Sequence, residues 1–384
     1  MRILFVADGR SPITLNWLRH FTEGGHQVFL ASTFDCAPPP GLAGFRWIPV
    51  AFSGAKKAPA AAGSLRRGIW GASALNLRTA LRQWLGPLTL ASAASALRAF
   101  QREIRPDLIH ALRIPYEGML AAQAAEDIPL VVSVWGNDFT LHAPATPLMR
   151  FFTTKTLRRA DALLADCARD IRLARAWGFA VEKPTLVTPG NGGIRRDVFF
   201  PAATPPAEPV ILNPRGFRAY VRNDTFFRAI PLVLREMPQA KFRCVGMADE
   251  PRARAWAQRL KIESALELLP VFSPAQMADA FRAAQVMVSP STHDGTPNTL
   301  LEALACGCLP VASDLESIRE WITPGENGLL VNAAAPQALA QAMLRGLRDA
   351  DLRARAAAQN AALIAERGDY AENMRRVEVF YAQI

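Results

Sequence analysis

Short apolar runs recur along this chain, each followed by a polar or glycine-containing loop and then by a helix-patterned stretch. The first run is residues 2–7. Its exit loop, Asp8-Gly9-Arg10-Ser11-Pro12, leads into a helical stretch with Ile13, Leu15, Trp17, Leu18 and Phe21 apolar, stopped at Gly24-Gly25. Residues 26–31 form the next run. A β-α-β opening of this kind favours a parallel sheet. The grammar continues with strands at 106–110, 129–134, 162–165 and 183–188, and helices at 148–160 and 170–177. After a proline-rich stretch it restarts, with strands at 209–212, 241–245, 265–269 and 286–289 and helices at 224–237, 252–260 and 275–284. We therefore expect an α/β protein with two parallel-sheet domains, in keeping with 384 residues. The expected boundaries are 1–200 for the first domain, 201–209 for a linker and 210–369 for the second. Residues 370–384 are expected to form a helix packing back toward the first domain.

The charge is uneven. Residues 1–200 carry 24 Lys and Arg against 14 Asp and Glu, whereas residues 201–384 carry 20 of each. From Ala51 to Gln101 there is no acid at all. There Lys56, Lys57, Arg66, Arg67, Arg78 and Arg82 are interleaved with Trp70, Leu75, Leu77, Leu81, Trp84 and Leu85. That composition suits either an anionic membrane surface or a helix packed on its own domain with its arginines outward. Residues 58–63 read as a loop. No apolar run is long enough to cross a bilayer. The opening run has no basic leader, and five cysteines without paired spacing fit a reducing compartment. The expected location is cytoplasmic, peripheral on the inner face of the cytoplasmic membrane. No nucleic-acid motif is present, so no nucleic-acid partner is expected.

The most informative chemistry lies in residues 289–331. A strand ends, the chain turns through Asp294-Gly295-Thr296-Pro297-Asn298-Thr299, and a helix carrying Glu302 follows until Gly307. The free amides and the positive dipole end of that helix suit a phosphate. Glu302, about one turn in, can accept from a vicinal diol such as ribose, and Asp294 can accept from sugar hydroxyls. Two acids beside an anion cradle make sense when hydroxyls flank the phosphates. The loop after the first strand lacks GxGxxG, which argues against an oxidoreductase dinucleotide site. Loops at strand ends face the ligand crevice in open α/β sheets. Gly9, Arg10, His110, Arg113, Trp135, Asn137 and Asp138 are therefore candidates to approach a substrate.

These residues resemble the donor-site signature of the retaining GT-B glycosyltransferases of group 1, family four. In that family two acids bracket a glycine-containing turn, followed by a helix and a Gly-x-Pro-Val strand. Here the acids are Asp294 and Glu302, and the strand reads Gly307-Cys308-Leu309-Pro310-Val311. The similarity continues through Glu320-Trp321-Ile322 and residues 325–331, and in the first half at residues 106–110 and 136–201. It implies a GT-B fold, two Rossmann-like domains with parallel sheets facing an interdomain cleft. It also implies transfer of a sugar, with retention, from a nucleotide-diphosphate sugar to a glycan, lipid-linked or surface-polysaccharide acceptor in cell-envelope biosynthesis. No metal or other cofactor is implied.

Carried onto this chain, the resemblance gives Asp294, His110 and Arg215 catalytic roles. Glu302 would bind ribose. Gly295, Thr296, Pro297, Asn298 and Thr299 would line sugar and phosphate. Arg215 with Arg222, or Arg218 as its rival, would hold the diphosphate. The chain departs from the family at three points: Asp294 replaces the usual Glu, Leu112 occupies the position of a second His, and Trp135 that of a His before Gly136. A catalytically weak GT-B binding or partner subunit is the alternative reading.

Overall fold

The computed structural model describes residues 1–54, 80 and 82–384. Most of the basic segment noted above lies outside the described residues, including Lys56, Lys57, Arg66, Arg67, Trp70, Arg78 and the stretch 58–63. The chain forms two compact units, Met1–Gly192 together with Arg376–Ile384, and Gly193–Arg375.

The first unit contains β1 (Arg2–Ala7), α1 (Pro12–Glu23), β2 (Gln27–Ser32), β3 (Gly44–Trp47), α2 (Leu90–Ile104), β4 (Leu108–Ala111), α3 (Met119–Ala124), β5 (Leu130–Val134), α4 (Pro147–Arg159), β6 (Ala162–Ala165), α5 (Ala168–Ala176) and β7 (Thr185–Val187). The strands form a parallel sheet in the order β3-β2-β1-β4-β5-β6-β7. The inner strands β1, β4, β5 and β6 are buried almost throughout, so they read as continuous apolar runs rather than alternating ones. Pro12 opens α1 with its fixed φ, and Gly25, at φ +78°, carries the chain away from the helix end. Strand β3 has no apolar run to announce it: it is a half-exposed edge of Gly-Phe-Arg-Trp. Gly44 is required there because a Cβ would lie 2.9 Å from the Phe29 ring.

The second unit contains β8 (Val210–Asn213), α6 (Asn223–Glu236), β9 (Lys241–Val245), α7 (Pro251–Leu260), β10 (Leu266–Leu269), α8 (Pro274–Arg282), β11 (Val286–Ser289), α9 (Asn298–Ala305), β12 (Leu309–Ser313), α10 (Glu316–Arg319), β13 (Leu329–Val331), α11 (Pro336–Arg348) and α12 (Ala350–Leu363). Its parallel sheet runs β10-β9-β8-β11-β12-β13. Two apolar layers flank it, one built with α6, α7, α11 and α12, the other with α8, α9 and α10. A last helix, α13 (Tyr370–Tyr381), begins in this unit and ends in the first.

The proline-rich stretch 201–209 belongs to the second unit. The amide of Ile194 already donates to Gly368 O at 2.7 Å, Phe199 is buried in the second core, and Gln285 Nε2 donates to Pro206 O at 2.9 Å.

In each sheet the strand order reverses once, between β1 and β4 and between β8 and β11. At such a switch point two loops leave the strand ends in opposite directions and open a crevice for a ligand.

Candidate active site

In the second unit the loops after β8 and β11 leave the switch point and are laced together. Val221 bridges Ser291 in antiparallel fashion, Arg222 N donates to Pro290 O at 2.8 Å, and Thr292 N donates to Tyr220 O at 2.9 Å. Below this lacing, Asn213 at the end of β8 fixes the first loop. Its Oδ1 accepts from Arg215 N at 3.2 Å, and its Nδ2 donates to Asn223 Oδ1 at 3.1 Å. Asn223 Nδ2 in turn donates to Gly216 O, where the backbone turns at φ +60°.

That loop places Arg215 against Asp294. Arg215 Nη1 donates to Asp294 Oδ2 at 2.7 Å, and the hydroxyl of Ser291 donates to the same oxygen at 3.0 Å. The side chains are only 8% and 13% exposed. Tyr220 stacks near the guanidinium, its ring centre 5.7 Å away. A largely buried ion pair held by further hydrogen bonds is rigid, and removing one partner is costly.

Helix α9 begins immediately beyond. Pro297, extended at ψ 129°, is its N-cap, and the helix starts at Asn298. The amides of Asn298 and Thr299 have no protein acceptor among the described residues, and Thr299 Oγ1 is buried without a hydrogen-bond partner. Thr296 contributes structure: its Oγ1 accepts from the indole of Trp321 at 3.0 Å. Gly295 is buried with an ordinary φ, so its turn does not need the left-handed region. Glu302 lies one turn along α9 and is partly exposed. Desolvation pushes its carboxyl up to about 7, with the charge of Arg215 opposing. No hydrogen bond from a described residue reaches it. This acceptor without a donor, beside a guanidinium and an open helix start, can receive a diol flanking an anion. Arg222 is not brought into this group, since its guanidinium pairs bidentately with Asp224 at 2.8 Å. Arg218 is exposed on the same loop.

In the first unit the loops after β1, β4 and β5 enclose a cavity of about 380 Å³. Arg113 lines it. Arg113 Nε donates to Asp138 Oδ1 and its Nη2 to Asn137 Oδ1, both at 3.0 Å, and Trp135 lies beneath the guanidinium. Asp138 is wholly buried and also accepts from the amides of Ile114 and Trp135. Asn137 and Asp138 therefore position Arg113. Gly9 is buried, donating its amide to Ser32 Oγ, and an added Cβ would meet Cys36 Sγ at 2.6 Å. Arg10 pairs with Asp8 at 2.9 Å and covers the Phe34 ring.

His110 requires a correction. It sits inside β4, in register with Phe5 and Val131, not beyond the strand end. Its ring is fully buried against Phe5 and Trp17, with Nε2 2.8 Å from Ser133 Oγ and Nδ1 bonded to the hydroxyl of Tyr381. Burial pushes its pKa down to about 3, so it is neutral at physiological pH. It anchors the end of α13, and its ring has no exposed surface.

Three cavity residues escaped the sequence reading. Glu117 is buried and raised above the usual carboxylate range by desolvation, opposed by the hydroxyl of Thr33 at 2.7 Å and by Arg113. Tyr116 adopts φ +71°, a strained backbone for a bulky residue, at the cavity wall. Arg82 lies between the Phe34 and Tyr116 rings. The signal for the first two was their place in the loop after β4, at the switch point.

Among the described residues, the group spaced for a metal is Asp166, Cys167 and Asp170, behind the Gly136 loop. Arg169 donates there to Asp170 at 2.7 Å and to Gly136 O at 2.8 Å, so a guanidinium already supplies countercharge.

Two family descriptions match most of the chain between them: a glycosyl transferase 4-like domain over residues 9–190, and glycosyl transferases group 1 over residues 208–349. A D-inositol 3-phosphate glycosyltransferase from Streptomyces scabiei is 27% identical over 276 residues, 66% of this chain and 58% of that protein. A phosphatidyl-myo-inositol mannosyltransferase from Mycobacterium tuberculosis is 36% identical over 120 residues, 31% of each chain. The chain thus spans less than two-thirds of the length of these curated relatives. Among solved structures, sucrose-phosphate synthase from Thermosynechococcus elongatus superposes with a TM-score of 0.76 at 18% identity, covering 99% of this chain and 98% of that one. Anabaena HepE in complex with UDP-glucose gives a TM-score of 0.74 at 16% identity, covering 100% and 99%. These likenesses show the fold, which is GT-B. With both of its units matched, the chain belongs to the group 1 glycosyltransferases.

Proposed function

We propose that this protein transfers a sugar from a nucleotide-diphosphate sugar to a hydroxyl-bearing acceptor, with retention at the anomeric carbon. The observation that carries the reading is the grouping of Glu302, Arg215 and the open start of α9 at one switch point. Glu302 accepts from the two ribose hydroxyls. The diphosphate lies between Arg215 and the amides of Asn298 and Thr299, where a guanidinium and a helix dipole offset its charge. Asp294, held by Arg215 and Ser291, meets the donor sugar's hydroxyls.

In the reaction the bond from the anomeric carbon to the diphosphate oxygen breaks, and a bond to the acceptor oxygen forms on the same face. The acceptor's proton passes to the departing phosphate. Charge developing on the diphosphate is met by Arg215 and α9, so this reading needs no metal. The relatives' names favour a polyol or lipid-borne polyol acceptor in the cell envelope. Turnover of a panel of UDP-, GDP- and ADP-sugars, with the product anomer read by NMR, tests the proposal. Inversion would remove the retaining step, and binding without turnover would point to a non-catalytic subunit.

The same reading places the protein at the cytoplasmic membrane face. Trp84, Leu85 and Leu88 are exposed, the last at 63%. Phe52 and Trp47 are exposed beside them, where Ala51 N donates to Thr89 Oγ1 at 2.8 Å and Gly86 packs on Ala51. No helix of the described residues is long and apolar enough to cross a membrane. Flotation with anionic vesicles should be lost in the R66E/R67E/R78E variant. Equal flotation with neutral vesicles would end the idea.

A further inference from the structure

Arg82 is a cavity cation with no ion pair to a carboxylate of the described residues, though its charge acts on Tyr116 and Glu117. It lines the 380 Å³ cavity, its guanidinium carbon 4.7 Å from the Tyr116 ring centre and 5.2 Å from that of Phe34. Its Nε is buried with no hydrogen-bond partner.

Other titratable residues line the cavity, His142 among them. Arg113 has Asp138 as its partner, and Asp8 has Arg10. Glu117 accepts from Thr33, and its burial favours the neutral form. A cation shielded by two rings, with a buried N–H left unbonded, is costly unless something anionic completes it.

We propose that this cavity takes the acceptor by a phosphate ester, gripped by Arg82, with a neighbouring hydroxyl directed to Glu117. The inference rests on the transferase reading and names the acceptor's chemical class. A planar guanidinium matches two phosphate oxygens at once, which a hydroxyl-only ligand does not offer. The volume lies at the small end of ligand pockets, enough for one sugar-like ring with its phosphate rather than an oligosaccharide. Burial raises the Glu117 carboxyl above the usual range, which lessens its repulsion of an incoming anion. The phosphate could be carried by a soluble polyol or by a lipid headgroup, and both offer Arg82 the same group.

Calorimetry with glucose 6-phosphate, glucose and inorganic phosphate separates the outcomes. Glucose 6-phosphate should bind at least tenfold more tightly than glucose, inorganic phosphate should compete, and Arg82→Gln should weaken glucose 6-phosphate at least tenfold. Arg82→Lys should recover part of the loss, which covers the case in which the Gln variant is misfolded. Equal binding of glucose and its phosphate, no binding of any phosphate, or an unchanged Arg82→Gln variant would overturn the proposal. Sedimentation with phosphatidylinositol vesicles assigns the source. Arg82-dependent retention means a headgroup, and Arg82-independent behaviour with Arg82-dependent glucose 6-phosphate binding means a soluble ester. Nucleotide-sugar binding is measured in parallel. Its absence in the unsubstituted protein speaks against the donor site, whereas its persistence in Arg82→Gln keeps the two questions separate.

Discussion

Glu302 gives the sharpest test of the donor site, because its environment makes a prediction about pH as well as about affinity. Its carboxyl is pushed up to about 7 by desolvation, with Arg215 acting against the rise. The charged form is the better acceptor for a diol, so donor binding should draw the proton off. Below pH 7 binding must first ionise the group, and affinity should fall by about tenfold per pH unit, or ~1.4 kcal/mol. Above pH 7 the carboxylate is already present and affinity should level off. A nucleotide sugar suits the measurement because its diphosphate, esterified at both ends, does not titrate in this range. Between pH 6 and pH 8 the dissociation constant measured by calorimetry should improve by roughly tenfold. Glu302→Gln should abolish that dependence. Glu302→Ala removes two charge-assisted hydrogen bonds, about 1.5 kcal/mol each at the low end, for a loss of roughly a hundredfold at pH 8. A dissociation constant flat from pH 6 to pH 8, or one unaltered in Glu302→Gln, would show that the carboxylate does not hold the donor.

The raised Glu302 also affects stability. Between the unfolded carboxyl value and about 7 the folded protein holds the proton more tightly, so stability falls as pH rises through that window. Glu302→Gln should therefore raise Tm more at pH 8 than at pH 5, and equal shifts would contradict the burial argument. Arg215→Met should destabilise by about 3–5 kcal/mol through the uncompensated Asp294, and the R215M/D294L double variant by less than the single one. Denaturant titration checks this, and a double variant as unstable as the sum of its parts would refute the coupling. Tyr381→Phe should lose about 1–2 kcal/mol through its buried bond to His110, while the pH profile of turnover stays unchanged. A shifted profile in that variant would restore a chemical role to His110.

Much of the fold was legible because parallel strands buried on both faces are written as apolar runs, and each run was bounded by a residue that cannot continue it. β1, β6, β9 and β11 were read to the residue or within one. β3 was not, since a half-exposed edge strand of Gly44 to Trp47 needs no apolar run and is held by pairing with β2. The grouping of Asp294, the start of α9 and Glu302 was equally legible, because those residues sit in one continuous stretch whose spacing survives folding. The first-unit cavity draws on loops far apart in sequence, and there the reading failed in an instructive way. His110 looked like a strand-end ligand, but the strand continues one residue past it and Tyr381, from the far end of the chain, seals its ring. Asn137 and Asp138, candidates to approach a substrate, each also accept from Arg113, a partner 24 to 25 residues away in sequence. A side chain's partner, unlike its periodicity, is not encoded locally. Arg82 shows the converse: nothing in its neighbourhood of sequence distinguishes it from the other basic residues, and only the missing partner in the fold does.

The central claim is that the β8–β11 switch point holds a nucleotide-diphosphate sugar and activates it. The most direct measurement is release of nucleoside diphosphate from UDP-, GDP- and ADP-sugars by the unsubstituted protein and by Glu302→Gln. The account predicts turnover of at least one donor, lowered at least tenfold by the substitution at pH 8. Turnover of none of them, or turnover that survives the substitution undiminished, would contradict it.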